Sequence, residues 1–186
     1  MGNNNVIKGG TEEEIWQQIE EQFIQNPAPL EYTAVIEQEG HRIILNIDID
    51  LGGGFESGYE TTSITAPLQS PTDFRFAIHE EHFTDEIGKF FGMQDVIIGY
   101  EKFDKKLVVK TNDELKVRGL FSDESVRAVF QVLENFSLGI TTHHTSDSTQ
   151  KDPYLECNIE TGITDVNKLH LIYKAFYTVL CTLNKL

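Results

Sequence analysis

Two histidines with two glutamates between them, His79-Glu80-Glu81-His82, could form a metal site. The zinc-protease motif instead requires His at positions i and i+4 of a helix, with Glu beside the first. His79 closes a predicted strand, which would send its ring and that of His82 in different directions. We therefore expect a polar loop here and no metal ligation.

A second histidine pair, His143-His144, precedes a run of hydroxyl and acidic side chains that includes Asp147. These residue types could supply the hydroxyl–His–Asp combination of a hydrolase. Adjacent residues in a strand point to opposite faces, so the two rings cannot share one metal site without a bulge. No nucleophile-elbow motif accompanies them. We favour polar residues at a strand end, with a hydrolase site as the alternative.

Paired acids offer a third kind of chemistry. Asp48 and Asp50 share one face of a predicted strand, about 7 Å apart by strand geometry. This spacing could suit a hard cation or a two-carboxylate hydrolase. Acidic side chains on an outward strand face also discourage edge-to-edge aggregation, and we favour that interpretation. The glycine run 52–54 that follows lacks the Lys of a phosphate-binding loop and predicts a hairpin loop.

Hydrophobic periodicity predicts the elements of the first half. Thr11 and Glu14 form a capping box at the start of a helix over residues 12–25. Alternation of apolar and polar residues predicts four strands joined as a meander, over 31–39, 41–51, 59–68 and 74–78. The Asn- and Gly-rich residues 1–10 are predicted to be a disordered tail, and residues 11–186 a single domain.

The second half is predicted to mix short strands and helices. Helices are expected at 83–91, at 113–120 with Asn112 or Thr111 as cap, at 123–133 with Ser122 as cap, and at 166–183 with Thr164 as cap. Strands are expected at 96–100, 107–110, 136–140 and 155–159. Strands in runs favour an α+β fold with a mainly antiparallel sheet of about seven or eight strands. The long C-terminal helix should pack on that sheet.

Composition and charge exclude several classes of protein. The 186 residues include 30 acidic and 15 basic side chains, a net charge of −15, which argues against non-specific nucleic-acid binding. No apolar run is long enough for a membrane span, and the N-terminus lacks a secretory signal, so we expect a cytoplasmic protein. Cys157 and Cys181 are expected to be buried thiols, and we expect neither a metal nor a cofactor.

Charged residues are segregated along the chain. Residues 11–40 contain eight Glu and no Lys or Arg, whereas four lysines fall within residues 102–110. Either segment could be a docking surface, because complementary charge steers encounters and selects partners. The candidate interaction residues are Glu12, Glu13, Glu20, Glu21, Lys102, Lys105, Lys106 and Lys110.

One segment carries a family resemblance. It contains Phe103-Asp104, a Val-rich stretch ending in Lys110, and then Asn112-Asp113-Glu114 and Leu120-Phe121-Ser122-Asp123. Over about residues 96–130 it resembles an uncharacterised bacterial protein family with no assigned activity. The resemblance implies no catalytic residue. It implies that Phe103 anchors a strand, that Asn112 and Ser122 cap helices, and that Leu120 and Phe121 pack a helix junction.

These observations together favour a bacterial, non-catalytic module that binds another protein. A hydrolase of unknown substrate is the first alternative. An acidic immunity-type inhibitor, which would mimic nucleic acid toward a basic toxin, is the second. We expect no nucleic-acid partner, and a homo-oligomer is a further option.

Overall fold

The structure is a computed structural model that describes residues 5–53, 57–69, 72–80, 93–144 and 151–186. Its elements in chain order are β1 (Val6–Gly9), α1 (Glu12–Gln25), β2 (Glu31–Gln38), β3 (His41–Asp50), β4 (Tyr59–Pro67), β5 (Phe76–Glu80), β6 (Gln94–Val96), α2 (Glu101–Lys106), β7 (Leu107–Thr111), α3 (Glu114–Leu120), α4 (Glu124–Val132), β8 (Phe136–His144), β9 (Lys151–Ile159) and α5 (Val166–Leu183). The predicted α+β fold is confirmed.

The described strands form one nine-stranded sheet in the order β1-β2-β3-β4-β9-β8-β5-β7-β6. Among these described strands, only β1 and β2 pair in parallel. The predicted meander is right for β2, β3 and β4 but wrong for β5, because β9 lies next to β4 and pairs Cys157 with Ile64. The nine-residue β9 brings its alternating apolar residues to the same face as those of β4. The shorter β5 pairs with β7 and β8 instead.

The predicted disordered tail is wrong for residues 6–9, which form β1. Val6 and Ile7 pair with Val35 and Ile36 of β2, and Ile7 is buried in the core. The short strand is held at the edge of the sheet by its parallel hydrogen bonds to β2 and by the burial of the Ile7 side chain. The predicted helix at 83–91 lies outside the described residues.

Three helix caps differ from the prediction in the same way. The N-caps of α3, α4 and α5 are Asp113, Asp123 and Asp165, and each carboxylate accepts at least one backbone N–H of the first turn. A carboxylate both accepts these bonds and carries negative charge toward the positive end of the helix dipole, so it displaces a nearby hydroxyl or amide. Asn112 and Ser122 are therefore not caps.

Another part of the sequence prediction is wrong between residues 96 and 106. The strand predicted at 96–100 is observed as β6, which ends at Val96, and Glu101–Lys106 forms α2 with Phe103 buried on it. The Phe103 ring lies 5.2 Å from that of Phe121, which joins α2 to the helix junction. Leu120 and Phe121 are buried at that junction, as expected.

The five helices of the described residues pack on one face of the sheet. The apolar stripe of α5, which includes Tyr173, Phe176 and Val179, is buried in one core with Ile43, Leu45 and Ile47 of β3. Although α5 is 18 residues long, neither it nor any other helix in the described part of the chain is long and apolar enough to span a membrane.

The two cysteines differ in burial. Cys157 of β9 is fully buried, and burial raises the pKa of its thiol to about 12. Cys181 of α5 is only half-buried. The expectation of two buried thiols is therefore confirmed for Cys157 alone.

Phe176→Ala should lower the free energy of unfolding by about 3–5 kcal/mol, because it removes a fully buried aromatic ring between α5 and the sheet. Leu171→Ala on the same helix is the control, since Leu171 is 58% exposed and its loss should change stability by only about 0.5 kcal/mol. Urea denaturation of both variants measures the difference. Equal small losses would show that α5 is peripheral to the core.

Candidate functional site

The sheet face opposite the helices is exposed across β2, β3, β4 and β9, and no element of the described chain lies over it. We call this surface the open face. Strand alternation and register define its side chains, which are Glu31, Thr33, Val35, Glu37, Arg42, Ile44, Asn46, Asp48, Asp50, Tyr59, Thr61, Ser63, Thr65, Tyr154, Glu156 and Asn158. Acidic side chains outnumber the single Arg on this surface.

Short polar side chains form a straight row across the middle of the open face. The ladders place Thr33, Asn46, Ser63 and Asn158 opposite one another on four successive strands. The Thr33 hydroxyl donates to Asn46 Oδ1 at 2.6 Å. Because neighbouring strands lie about 4.8 Å apart, the row offers hydrogen-bonding groups at regular intervals.

One corner of the open face is strongly acidic. Glu31 lies directly opposite Asp48 in the ladder of β2 and β3, and Asp50 follows two residues later on the same face. Like charges in this position weaken strand pairing. Asp48 accepts a hydrogen bond of 2.9 Å from the Tyr59 hydroxyl, and Asp50 accepts one of 2.8 Å from the backbone N–H of Gly52.

Tyr59 reports the electrostatics of this corner. The hydrogen bond to Asp48, followed by the negative charge of Asp48, raises the pKa of the Tyr59 hydroxyl above its usual value. The Tyr59 hydroxyl therefore stays protonated. The Tyr59 side chain is 51% exposed beside the acids. The described residues contain no group of three or more His, Cys, Asp or Glu side chains placed to hold a metal ion.

His143 lies beside a cavity of about 600 Å³ near the far border of the open face. Its Nε2 is 2.5 Å from Glu156 Oε1 and 3.3 Å from Thr141 Oγ1. A catalytic triad uses one ring nitrogen for the carboxylate and the other for the hydroxyl. Here the Glu156 carboxylate and the Thr141 hydroxyl both contact Nε2 of His143. When Nε2 donates its proton to Glu156, it has no lone pair with which to accept the hydroxyl proton of Thr141.

The other residues considered for catalysis are dispersed. His79 is buried near the end of β5, and its Nδ1 donates to the Glu80 carbonyl at 2.8 Å. His82 and Asp147 lie outside the described residues, and the side chain of His144 is likewise not described.

The α1 glutamates fall into two groups. Glu12 accepts a 2.8 Å hydrogen bond from His170 Nε2 and lies 3.4 Å from Lys174 Nζ, so it joins α1 to α5. The His170 ring stacks on Trp16 at 4.3 Å. Glu13, Glu20 and Glu21 are exposed, as a docking role would require.

Most of the candidate lysines have partners within the chain. Lys105 pairs with Glu101, Lys110 pairs with Asp95, and Lys106 donates to the Leu133 carbonyl. Lys102 is exposed. These lysines lie on α2 and β7, near the opposite end of the sheet from α1, so the acidic and basic segments do not form one surface.

Sequence reasoning placed Asp48 and Asp50 on an outward strand face but missed the groups around them. Glu31 and Tyr59 come from neighbouring strands, and only the register of the ladders brings them together. His143 Nε2 on β8 reaches Glu156 Oε1 on β9, although the ladder pairs His143 with Asp152 and Glu156 with Gly139. This contact depends on the geometry of the two paired strands, and no local pattern in the sequence indicates it.

A comparison with models of known protein families finds no match for this chain, and comparisons with curated proteins and with solved structures find none either.

Asp48→Asn should lower the pKa of Tyr59 toward its ordinary value, because the substitution removes the negatively charged carboxylate that accepts a hydrogen bond from the Tyr59 hydroxyl. Titration of the Tyr59 ring carbon by NMR measures the shift. Asp95→Asn, at the far edge of the sheet, is the control and should leave the Tyr59 titration unchanged. An unchanged Tyr59 pKa in Asp48→Asn would contradict the described corner.

Proposed function

We propose that this chain is a non-catalytic module that binds a basic surface of a partner protein on its open face. The uncovered acidic face is the observation that supports this most directly. Glu31 and Asp48 lie opposite each other at a cost to strand pairing, so sheet stability does not account for them. A basic partner would neutralise both charges. The negative potential of these side chains would also speed its association.

The remaining open-face residues suit a protein partner. Tyr59 combines an apolar ring with a hydroxyl, a combination enriched at interfaces, and Ile44 adds a 38% exposed apolar side chain. The polar row supplies hydrogen bonds between them. Strand spacing and rise give a face of about 500 Å² over four strands and about eight residues. An area of this order is typical of transient complexes, so we expect weak binding that depends on salt.

The alternative functions are supported unequally. The hydrolase alternative lacks a proton relay, because Thr141 and Glu156 share one nitrogen of His143. The acidic open face also favours a second candidate, an immunity-type inhibitor of a basic nuclease toxin. A cytoplasmic location remains part of the proposal, in keeping with two free cysteines.

The test compares two variants that lose the same number of charges. One carries Glu31→Gln, Asp48→Asn and Asp50→Asn on the open face, and the other carries Glu13→Gln, Glu20→Gln and Glu21→Gln on α1. A protein captured by the wild-type chain from bacterial lysate is purified, and its Kd for each form is measured over a salt series. We expect the open-face variant to bind at least about tenfold more weakly, a change of ~1.4 kcal/mol.

The α1 variant serves as the matched control and should bind like the wild type. Circular dichroism and thermal unfolding check that both variants fold. Loss of binding in the α1 variant alone would move the docking surface to α1 and contradict the proposal. Capture of a basic nuclease whose activity the chain blocks would favour the inhibitor.

A further inference from the structure

Strand β8 extends beyond the strand that pairs with it on one side. Its ladder with β5 ends where Gly139 meets Ala77, although β8 continues to His144. On its other side β8 pairs with β9 along its whole length. Within the described chain, residues 140–144 therefore present a free strand edge, with backbone N–H and C=O groups directed outward.

The gap beside this edge is built by specific contacts. Arg75 precedes β5, and its backbone turns toward β7: its N–H donates to Asn112 Oδ1 at 2.8 Å, and its carbonyl accepts from Thr111 Oγ1 at 2.8 Å. Asn112 Nδ2 also donates to the Asp73 carbonyl at 2.7 Å. The Phe74 N–H donates to Thr72 Oγ1 at 3.1 Å and is unavailable to β8. Residues 72–75 are thus held toward β7 and do not pair with β8.

The resulting cavity of about 600 Å³ has chemically distinct walls. Phe74, Ile140 and Pro153 supply apolar surface, whereas Arg75, His143 and Glu156 supply polar groups. The Arg75 guanidinium has no hydrogen bond or ion pair with another described residue. His143 and Glu156 both line the cavity and contact each other, so Arg75 is the lining charge that has no partner among the described residues.

We propose that this gap binds an extended peptide segment of a partner, which adds as a strand to the free edge of β8. About four residues fit alongside residues 140–143 at ~3.3 Å per residue. Because strand side chains alternate between faces, apolar residues would meet Phe74 and Ile140, and an acidic residue between them would meet Arg75. Backbone bonds to the edge would supply affinity, and the alternating pockets would supply specificity. The site adjoins the open face, because Glu156 belongs to both, but it takes an extended acidic segment, whereas the open face is proposed to bind a basic surface.

The test uses a blocked hexapeptide in which Glu alternates with Val and Ile, added to isotope-labelled full chain. We expect amide shift changes and slowed hydrogen exchange at residues 140–142. Three related peptides serve as comparisons: one with Lys in place of Glu, one with N-methylated backbone, and one with the acidic residues grouped at one end. Each should bind at least about tenfold more weakly.

Arg75→Gln should weaken binding of the acidic peptide about tenfold, because it removes a hydrogen bond between charged groups. Lys168→Gln on α5 is the control and should have no effect; both residues are exposed, so both variants should fold. Equal binding of the Lys peptide or of the N-methylated peptide would overturn the proposal. So would displacement of the peptide by succinate, which would indicate a small-anion site, or a self-dimer that protects residues 140–142 without peptide.

Discussion

The core side chains of the nine described strands face the same way, and the five described helices pack over them. The stripe of α5 that contains Phe176 covers the middle of this face, where Ile43, Leu45 and Ile64 are fully buried. Strand side chains alternate with a period of two. A register shift of one residue would therefore move these side chains from the core face to the solvent-exposed face. One-sided burial therefore sets both the register of the sheet and the composition of its other face.

The function proposed for the chain follows from that constraint. With the helices on one side, the opposite side chains of β2, β3, β4 and β9 are available to a partner, and they are mainly acidic, hydroxyl and amide groups. Glu31 opposite Asp48 weakens the sheet locally, while Tyr59 stays protonated beside them. Such an arrangement suits recognition of positive charge better than proton transfer, because Glu31 and Asp50 are exposed and because Asp48 and Asp50 already accept hydrogen bonds from within the chain.

Local patterns in the sequence predicted the local parts of this structure. The alternation of β3 predicted its buried and outward residues, and the stripe of α5 predicted a helix with the observed limits. Pairing between distant strands was beyond those patterns. Ile64 and Cys157 are 93 residues apart, and nothing near either residue specifies that β9 separates β4 from β8. The open-face neighbours of Asp48 depend on the same long-range register.

The misassigned ends of elements have a common origin in competition between nearby polar groups. Asn112 was a reasonable cap for α3, but it bonds the backbone of residues 73 and 75, and Asp113 caps the helix. The same bonds turn the chain away from β8 and open the gap beside Ile140. The residues near Asn112 in the sequence do not indicate its hydrogen-bond partners, because Asp73 and Arg75 lie more than 35 residues away.

The footprint of a bound partner tests the central claim most directly. It is measured by NMR shift changes in the labelled chain as the purified partner is added. The account predicts changes at the open-face residues Thr33, Asn46, Tyr59 and Ser63, with the exposed helix residues Leu115 and Leu171 unaffected. Changes confined to the helices, with the open face unperturbed, would contradict it.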